Sequence, residues 1–242
     1  MNLLTPIKNL NKPQKGWLIL LLVVFGLALC PLGYNFIRIG IVGGGALLVL
    51  GGLFIFWKSL YVRFLLLAVC LLALLVIFLP GGKPDAGVLR SKYVSALLKY
   101  ENTLYIWGGE NRAGIDCSGL VREGYVDANR SLGISTLNPQ LLRRAFFVWW
   151  NDCSASALGN EYLGMTKLVL KADAMEKLDY TLLKPGDIAV IGTGYHTFAY
   201  LGGERWIEAS PLSGNVHKIS GADRAQISAG ALVRIMRWSE MW

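Results

Sequence analysis

Three long apolar runs open the chain: Trp17 to Tyr34, Ile37 to Trp57 and Leu60 to Leu79. Between residues 17 and 80 only Arg38, Lys58 and Arg63 carry charge. A helix of about 20 apolar residues crosses the hydrocarbon core of a bilayer, so the second and third runs predict spans. The first is interrupted by Pro31 and Gly33. At "LPGGKPDAG", 79 to 87, Gly and Pro end the third run and make a short linker. Beyond it the pattern is that of a globular domain. "PDAGVLRSKYVSALLKYEN" sets Val88, Val94, Leu97 and Leu98 at helical spacing. "GIDCSGLVREGYVDAN" predicts a helix beginning at or just after Asp116, a good N-cap ahead of Leu120, Val121 and Tyr125. "NPQLLRRAFFVWW" predicts a helix with Pro139 near its start, and "MTKLVLKADAMEKLDYTLL" mixes strand and helix signals. Then "DIAVIG", "HTFAYLGG", "RWIEAS", "NVHKIS" and "ALVRIMRW" alternate in short runs separated by Gly-rich turns, which predicts an antiparallel sheet. The fold class is α+β, with residues 1–82 as a three-helix transmembrane anchor and 83–242 as the globular domain.

Charge sharpens this division. The first 82 residues hold six bases (Lys8, Lys12, Lys15, Arg38, Lys58, Arg63) and no acid; the remainder holds 18 bases and 16 acids, a balance of only +2. The high net charge thus belongs to membrane flanks, and a nucleic-acid partner, which would need excess base on the folded domain, is excluded. By the positive-inside rule the N-terminus and the 58–63 turn are cytoplasmic, and three spans put residue 83 onward outside. A cleaved signal peptide ending near "LALC" would leave two spans and the same external address. In the second run, Gly40, Gly43, Gly44, Gly45, Gly51 and Gly52 permit close helix approach. They can pack the hairpin itself, bind a regulator or support self-association.

Cys30 and Cys70 fall in the apolar runs, and Cys117 and Cys153 in the globular half. With two histidines and no C-x-x-C spacing, no metal site or cofactor is expected. A Cys117–Cys153 disulfide is the alternative to two free thiols. Cys117, in "YIWGGENRAGIDCSGLV", is set at a helix start, where the dipole and free N–H groups favour thiolate. A thiol nucleophile also needs a base within hydrogen-bond reach. His196, which begins a predicted strand, can be that base, and the backbone N–H of Cys117 can donate to an oxyanion. His217, in an edge-strand pattern, is expected at the surface, with substrate contact as the alternative. "FFVWW", Phe146 to Trp150, reads as a core helix or as a surface that meets lipid headgroups or substrate.

These motifs resemble those of the NlpC family of cell-wall cysteine peptidases, which have a papain-like fold. The family pattern P-Y-x-W-G-G followed by G-x-D-C-S-G-L-V is matched by Tyr105, Trp107, Gly108, Gly109, Gly114, Asp116, Cys117, Ser118, Gly119, Leu120 and Val121, with Leu104 in place of the proline. L-x-P-G-D appears as Leu183 to Asp187, and the histidine strand and its neighbour appear as "HTFAYLGG" and "WIEAS". The resemblance covers residues 87 to 237. It implies Cys117 as nucleophile, His196 as general base and Glu208 as the third, polar member, where many relatives carry histidine. A carboxylate can orient the imidazole and stabilise its protonated form. Tyr105, Trp107, Asp116 and Ser118 are candidates for contact with substrate or oxyanion; Asp116 is also the expected helix cap, and Asp187 a turn residue.

The activity implied is peptidoglycan hydrolysis at an amide bond of the stem peptide, with D-glutamyl–diamino acid endopeptidase action expected. An amidase that releases the whole stem peptide and an antibacterial toxin share the chemistry. A non-catalytic wall-binding membrane scaffold and an acyl transferase acting on lipid are the other readings. The expected partners are stem peptides and the lipid bilayer.

Overall fold

A computed structural model describes residues 10–221 and 230–242. Lys8, one of the bases used to orient the chain, lies outside the described residues. By compactness the chain divides into two units, one of residues 1–30 and 34–79, the other of 31–33 and 80–242.

The first unit holds three helices: α1 (Lys12–Leu29), α2 (Asn35–Ile55) and α3 (Leu60–Phe78). Each is long and apolar enough to cross a membrane. Helix α1 starts five residues before the apolar run, because Asn11 and Gln14 form a reciprocal capping box and Pro13 suits the first turn. It stops at Leu29, ahead of Pro31. The glycines of α2 serve close packing within this unit: a Cβ on Gly44 would stand 2.5 Å from Val24 of α1. The Trp17 indole N–H donates to the Leu48 carbonyl at 2.8 Å, tying α1 to α2. Large apolar side chains such as Phe25, Phe54 and Leu72 remain exposed on these helices, as they do on elements whose solvent is lipid.

The second unit is α+β. Helices α4 (Ala86–Leu98), α5 (Cys117–Ser135), α6 (Pro139–Asn151) and the short α7 (Ala155–Gly159) accompany a small hairpin, β1 (Glu110–Asn111) and β2 (Gly114–Ile115). The main sheet comprises β3 (Thr166–Ala172), β4 (Ile188–Ile191), β5 (His196–Gly202), β6 (Arg205–Ser210), β7 (Asn215–Ile219) and β8 (Val233–Trp238). Its order is β3-β8-β4-β5-β6-β7, antiparallel at every junction. All five strands expected from the alternating runs are present as β4 to β8. The mixed segment supplies β3 at the sheet edge opposite β7, so this inserted strand lies far in strand order from β5 and β6.

Both faces of the sheet are covered, which explains why every residue of β4 is buried. On one face Ile188 and Val190 join Leu120, Val121 and Tyr125 of α5; on the other Ala189 and Ile191 join Met175, Leu178 and Leu183. The Tyr125 ring stacks on Trp238 at 4.0 Å between centroids. Fully burying a side chain such as Leu120 or Val121 contributes about 1.5–3 kcal/mol, and both are wholly inaccessible. This anchors the helix whose first residue is Cys117. "FFVWW" divides along α6: Val148 is buried and Phe147 and Trp149 pack against the core, whereas Phe146 and Trp150 face out.

Pro31–Gly33 belongs to this second unit through main-chain pairing. Gly33 N–H donates to the Gly108 carbonyl (2.8 Å), and Glu110 N–H donates to the Pro31 carbonyl (2.7 Å).

Candidate active site

Cys117 is the first residue of α5, and Asp116 is its N-cap. One Asp116 oxygen accepts the Gly119 N–H at 2.6 Å and the Ser118 hydroxyl at 2.9 Å. The other accepts the Gly108 N–H at 2.9 Å. Asp116 therefore satisfies a helix donor that would otherwise lack a partner and braces the Trp107–Gly109 turn against the helix start. The fit leaves no room for a side chain at Gly119, where a Cβ would sit 2.2 Å from the Gly109 carbonyl oxygen. Through this bonding Asp116 and Ser118 build the turn around Cys117. The Cys117 side chain is 8% exposed.

His196 opens β5, directly after the turn that leaves β4. Gly194 in that turn lies against Ser156 of α7, so the inserted region supports the approach to His196. The imidazole meets Glu208 through Nε2, and Cys117 lies close enough to act on its protonation. Burial pulls His196 toward its neutral form, but hydrogen bonding and the negative charge of Cys117 and Glu208 outweigh it and raise its pKa to about 9. Glu208, on the adjacent strand β6, is 1% exposed. The structure thus brings Cys117, His196 and Glu208 together, carried by a helix start and two neighbouring strands. This arrangement can hold a thiolate–imidazolium pair and pass a proton.

Tyr105 is fixed by its backbone, whose N–H donates to Gly214 at 2.8 Å. Burial, then the negative charge of Cys117 and Asp116, push its hydroxyl up to about 12. It is therefore an O–H donor at neutral pH, close enough to feel a charge on Cys117. Trp107 is 77% exposed on the braced turn and is free to meet a ligand. Cys153 lies deeper than Cys117. It is free, as Cys117 is, so no disulfide joins them; burial pushes its thiol pKa up, and it is 1% exposed.

Two features escape a reading of the sequence alone. Arg122, one turn along α5, is buried and pairs with Glu110 of the β-hairpin and with Asp152 (2.7 Å), while donating to the Cys153 carbonyl (2.7 Å). This cluster ties the hairpin to the helix. His217 on β7 stands directly across from Glu208, with Nε2 3.4 Å from the carboxylate. Glu208 and His217 flank a short turn in the sequence, and hairpin counting across that turn is the signal that could have paired them.

The family model for NlpC/P60 matches residues 102–229, which spans Cys117, His196 and Glu208. Among solved structures, NlpC2 from Trichomonas vaginalis is similar over 64% of this chain and 49% of that one, with 18% identity and a TM-score of 0.42. This chain thus spans about half the length of that protein. The P60 domain of antigen MAP1204 from M. avium subspecies paratuberculosis is similar over 63% of this chain and 96% of that one, with 16% identity and a TM-score of 0.39. The peptidoglycan hydrolase RipB from Mycobacterium tuberculosis is similar over 63% and 65%, with 18% identity and a TM-score of 0.40. No curated protein matches the chain.

Proposed function

Since the chain belongs to the NlpC/P60 family, we propose that it is a membrane-anchored cysteine hydrolase that cleaves an amide bond in the stem peptide of peptidoglycan. The observation that carries this reading is the placement of Cys117 beside His196, whose Nε2 is held by Glu208. The Cys117 thiolate attacks the amide carbonyl carbon. The oxyanion that forms takes donors from the Cys117 backbone N–H and the Tyr105 hydroxyl. As the tetrahedral intermediate collapses, the C–N bond breaks and the leaving amine takes the proton from His196. Water, deprotonated by the now neutral imidazole, then hydrolyses the thioester and restores the Cys117 thiolate beside the His196 imidazolium. Glu208 holds the ring and stabilises its protonated form throughout. The bond we assign is that between D-glutamate and the diamino acid.

The three apolar helices anchor the hydrolase in the cytoplasmic membrane, with Lys12, Lys15, Lys58 and Arg63 on the inner side. Parity supports this topology. Two membrane-length helices, α2 and α3, separate Pro31–Gly33 from Gly108–Glu110, so in this topology the two segments share a side of the membrane. Their main-chain hydrogen bonds within one unit agree with that. The outer side is where peptidoglycan lies.

The test uses the full chain in detergent micelles with purified sacculi under reducing conditions. Soluble peptide fragments are expected, with masses of cleavage after D-glutamate, and Cys117→Ala should release none. Masses of complete stem peptides would assign an amidase instead. Sacculi left intact by the wild-type protein would overturn the hydrolase reading.

A further inference from the structure

The proposed reaction uses one oxygen of Glu208 and leaves the other to be explained. Oε2 meets His196 Nε2. Oε1 is buried and has no hydrogen-bond partner among the described residues. A buried carboxylate oxygen without a donor costs far more than an exposed one. The group set against it is His217 Nε2, at 3.4 Å, within ion-pairing range and slightly long for a formed hydrogen bond. The two residues are direct partners across β6 and β7, so their side chains share one face of the sheet.

The far side of His217 is also fixed. Ser213, in the turn between those strands, sets its hydroxyl 3.0 Å from His217 Nδ1 and 3.2 Å from the Asn215 carbonyl. A serine hydroxyl has one proton to give. If it goes to Asn215, Ser213 accepts from Nδ1–H, and a protonated His217 then satisfies both ring N–H groups, the second against Glu208. If it goes to Nδ1, His217 is neutral and the ring proton is on Nε2, again facing Glu208. A doubly protonated His217, or a neutral one with its proton on Nε2, directs an N–H at the unused oxygen. The groups facing Glu208 are then His196 from β5 and His217 from β7, with Cys117 beyond His196 at the start of α5.

We propose that His217 is a positioning residue for the reaction inferred above: its Nε2–H closes on Glu208 Oε1 and locks the carboxylate plane, so that Oε2 keeps its hold on His196. A carboxylate held from one side alone can turn about its last bond; one held from both sides cannot. The Cys117–His196–Glu208 chain thereby gains a fourth member that never touches substrate. The inference rests on the hydrolase reading for its purpose, but its test does not.

The experiment measures the alkylation rate of Cys117 by iodoacetamide in the full chain in micelles, read by mass spectrometry of the Cys117 peptide, across the pH range where thiols and imidazoles titrate. His217→Phe keeps the ring and removes the donor; His217→Gln keeps an N–H at the same reach without titrating. With His217→Phe, alkylation at slightly acid pH should slow by about tenfold, the scale of one hydrogen bond to a charged group. Its acid limb should also move to higher pH. His217→Gln should retain the wild-type rate and limb. A His217→Phe protein indistinguishable from wild type overturns the proposal, and so does a His217→Gln protein as slow as His217→Phe. Buried Cys153 labels only if the domain opens, so a folding defect is visible in the same spectra. In that case His217→Asn, which keeps the Ser213 contact but cannot reach Oε1, replaces the Phe variant. Alkylation needs no substrate: the expected shift beside uncut sacculi supports the role of His217 while overturning the hydrolase reading.

Discussion

Gly108 donates its backbone N–H to the Asp116 side chain at 2.9 Å, and so the turn before the helix and the helix that carries Cys117 move as one piece. The other Asp116 oxygen caps α5. Asp116→Ala removes both functions. Loss of an N-cap costs about 1 kcal/mol, and the Gly108 N–H loses its acceptor as well. The expected outcome is a lower melting temperature and slower alkylation of Cys117. Asp116→Asn, which keeps one acceptor oxygen, should fall between.

His196 gives the site its pH window. In the proposed reaction the leaving amine takes a proton from the imidazolium; burial lowers the pKa of His196, but Cys117 and Glu208 together raise it to about 9. The protonated form therefore persists through neutral pH and is lost as pH rises through about 9. The turnover rate against pH should fall on its alkaline side there. Glu208→Gln removes the charge that favours imidazolium while keeping the shape, so its alkaline limb should lie at lower pH. An unmoved limb would show that Glu208 does not act on His196 by charge.

Tyr105 tests the oxyanion contact. Its hydroxyl, held protonated to about 12, has a proton to donate wherever the thiolate is reactive. Removing one oxyanion donor costs on the order of 100-fold in turnover for preorganised sites. A partly exposed tyrosine should give less, about tenfold. Tyr105→Phe should show that loss in kcat with KM unchanged; an increase in KM alone would make it a substrate-binding residue.

Asp187 and Arg237 supply a stability test away from the thiol. Arg237 meets both oxygens of Asp187 at 2.7 Å, and both side chains are buried. Breaking such a pair from one side costs about 3–5 kcal/mol because a buried charge is left alone. Arg237→Leu should therefore unfold the domain well below the wild-type temperature. Replacing both residues with apolar ones should recover much of the loss. Asp187 also accepts the Lys184 N–H at 2.8 Å, so the turn role expected for it holds alongside the ion pair.

The regular elements were legible because their signals are local. Helix α5 announces itself by Asp116 and the apolar positions that follow, and β4 to β8 by alternation between glycines. Partners that depend on register were not. The two residues that share β-hairpin register at Glu208 belong to different runs, and nothing in "NVHKIS" alone says which way His217 points. The Arg122 cluster likewise draws on three separate segments. Helix α6 shows the limit of composition: "FFVWW" is uniformly apolar, but a helix turns, and Phe146 and Trp150 are carried to the surface while Val148 goes inside. The mixed segment carries mixed signals because β3 is a partly exposed strand that, among the described residues, pairs on one side only.

The chain contains two histidines, and both lie against Glu208. Every imidazole resonance of an isotope-labelled protein therefore comes from this one cluster, with no background from the helices or the rest of the sheet. Selective labelling of histidine reduces a chain of 242 residues to the signals of two rings, in which protonation, tautomer and ligand binding at the thiol site can be followed directly.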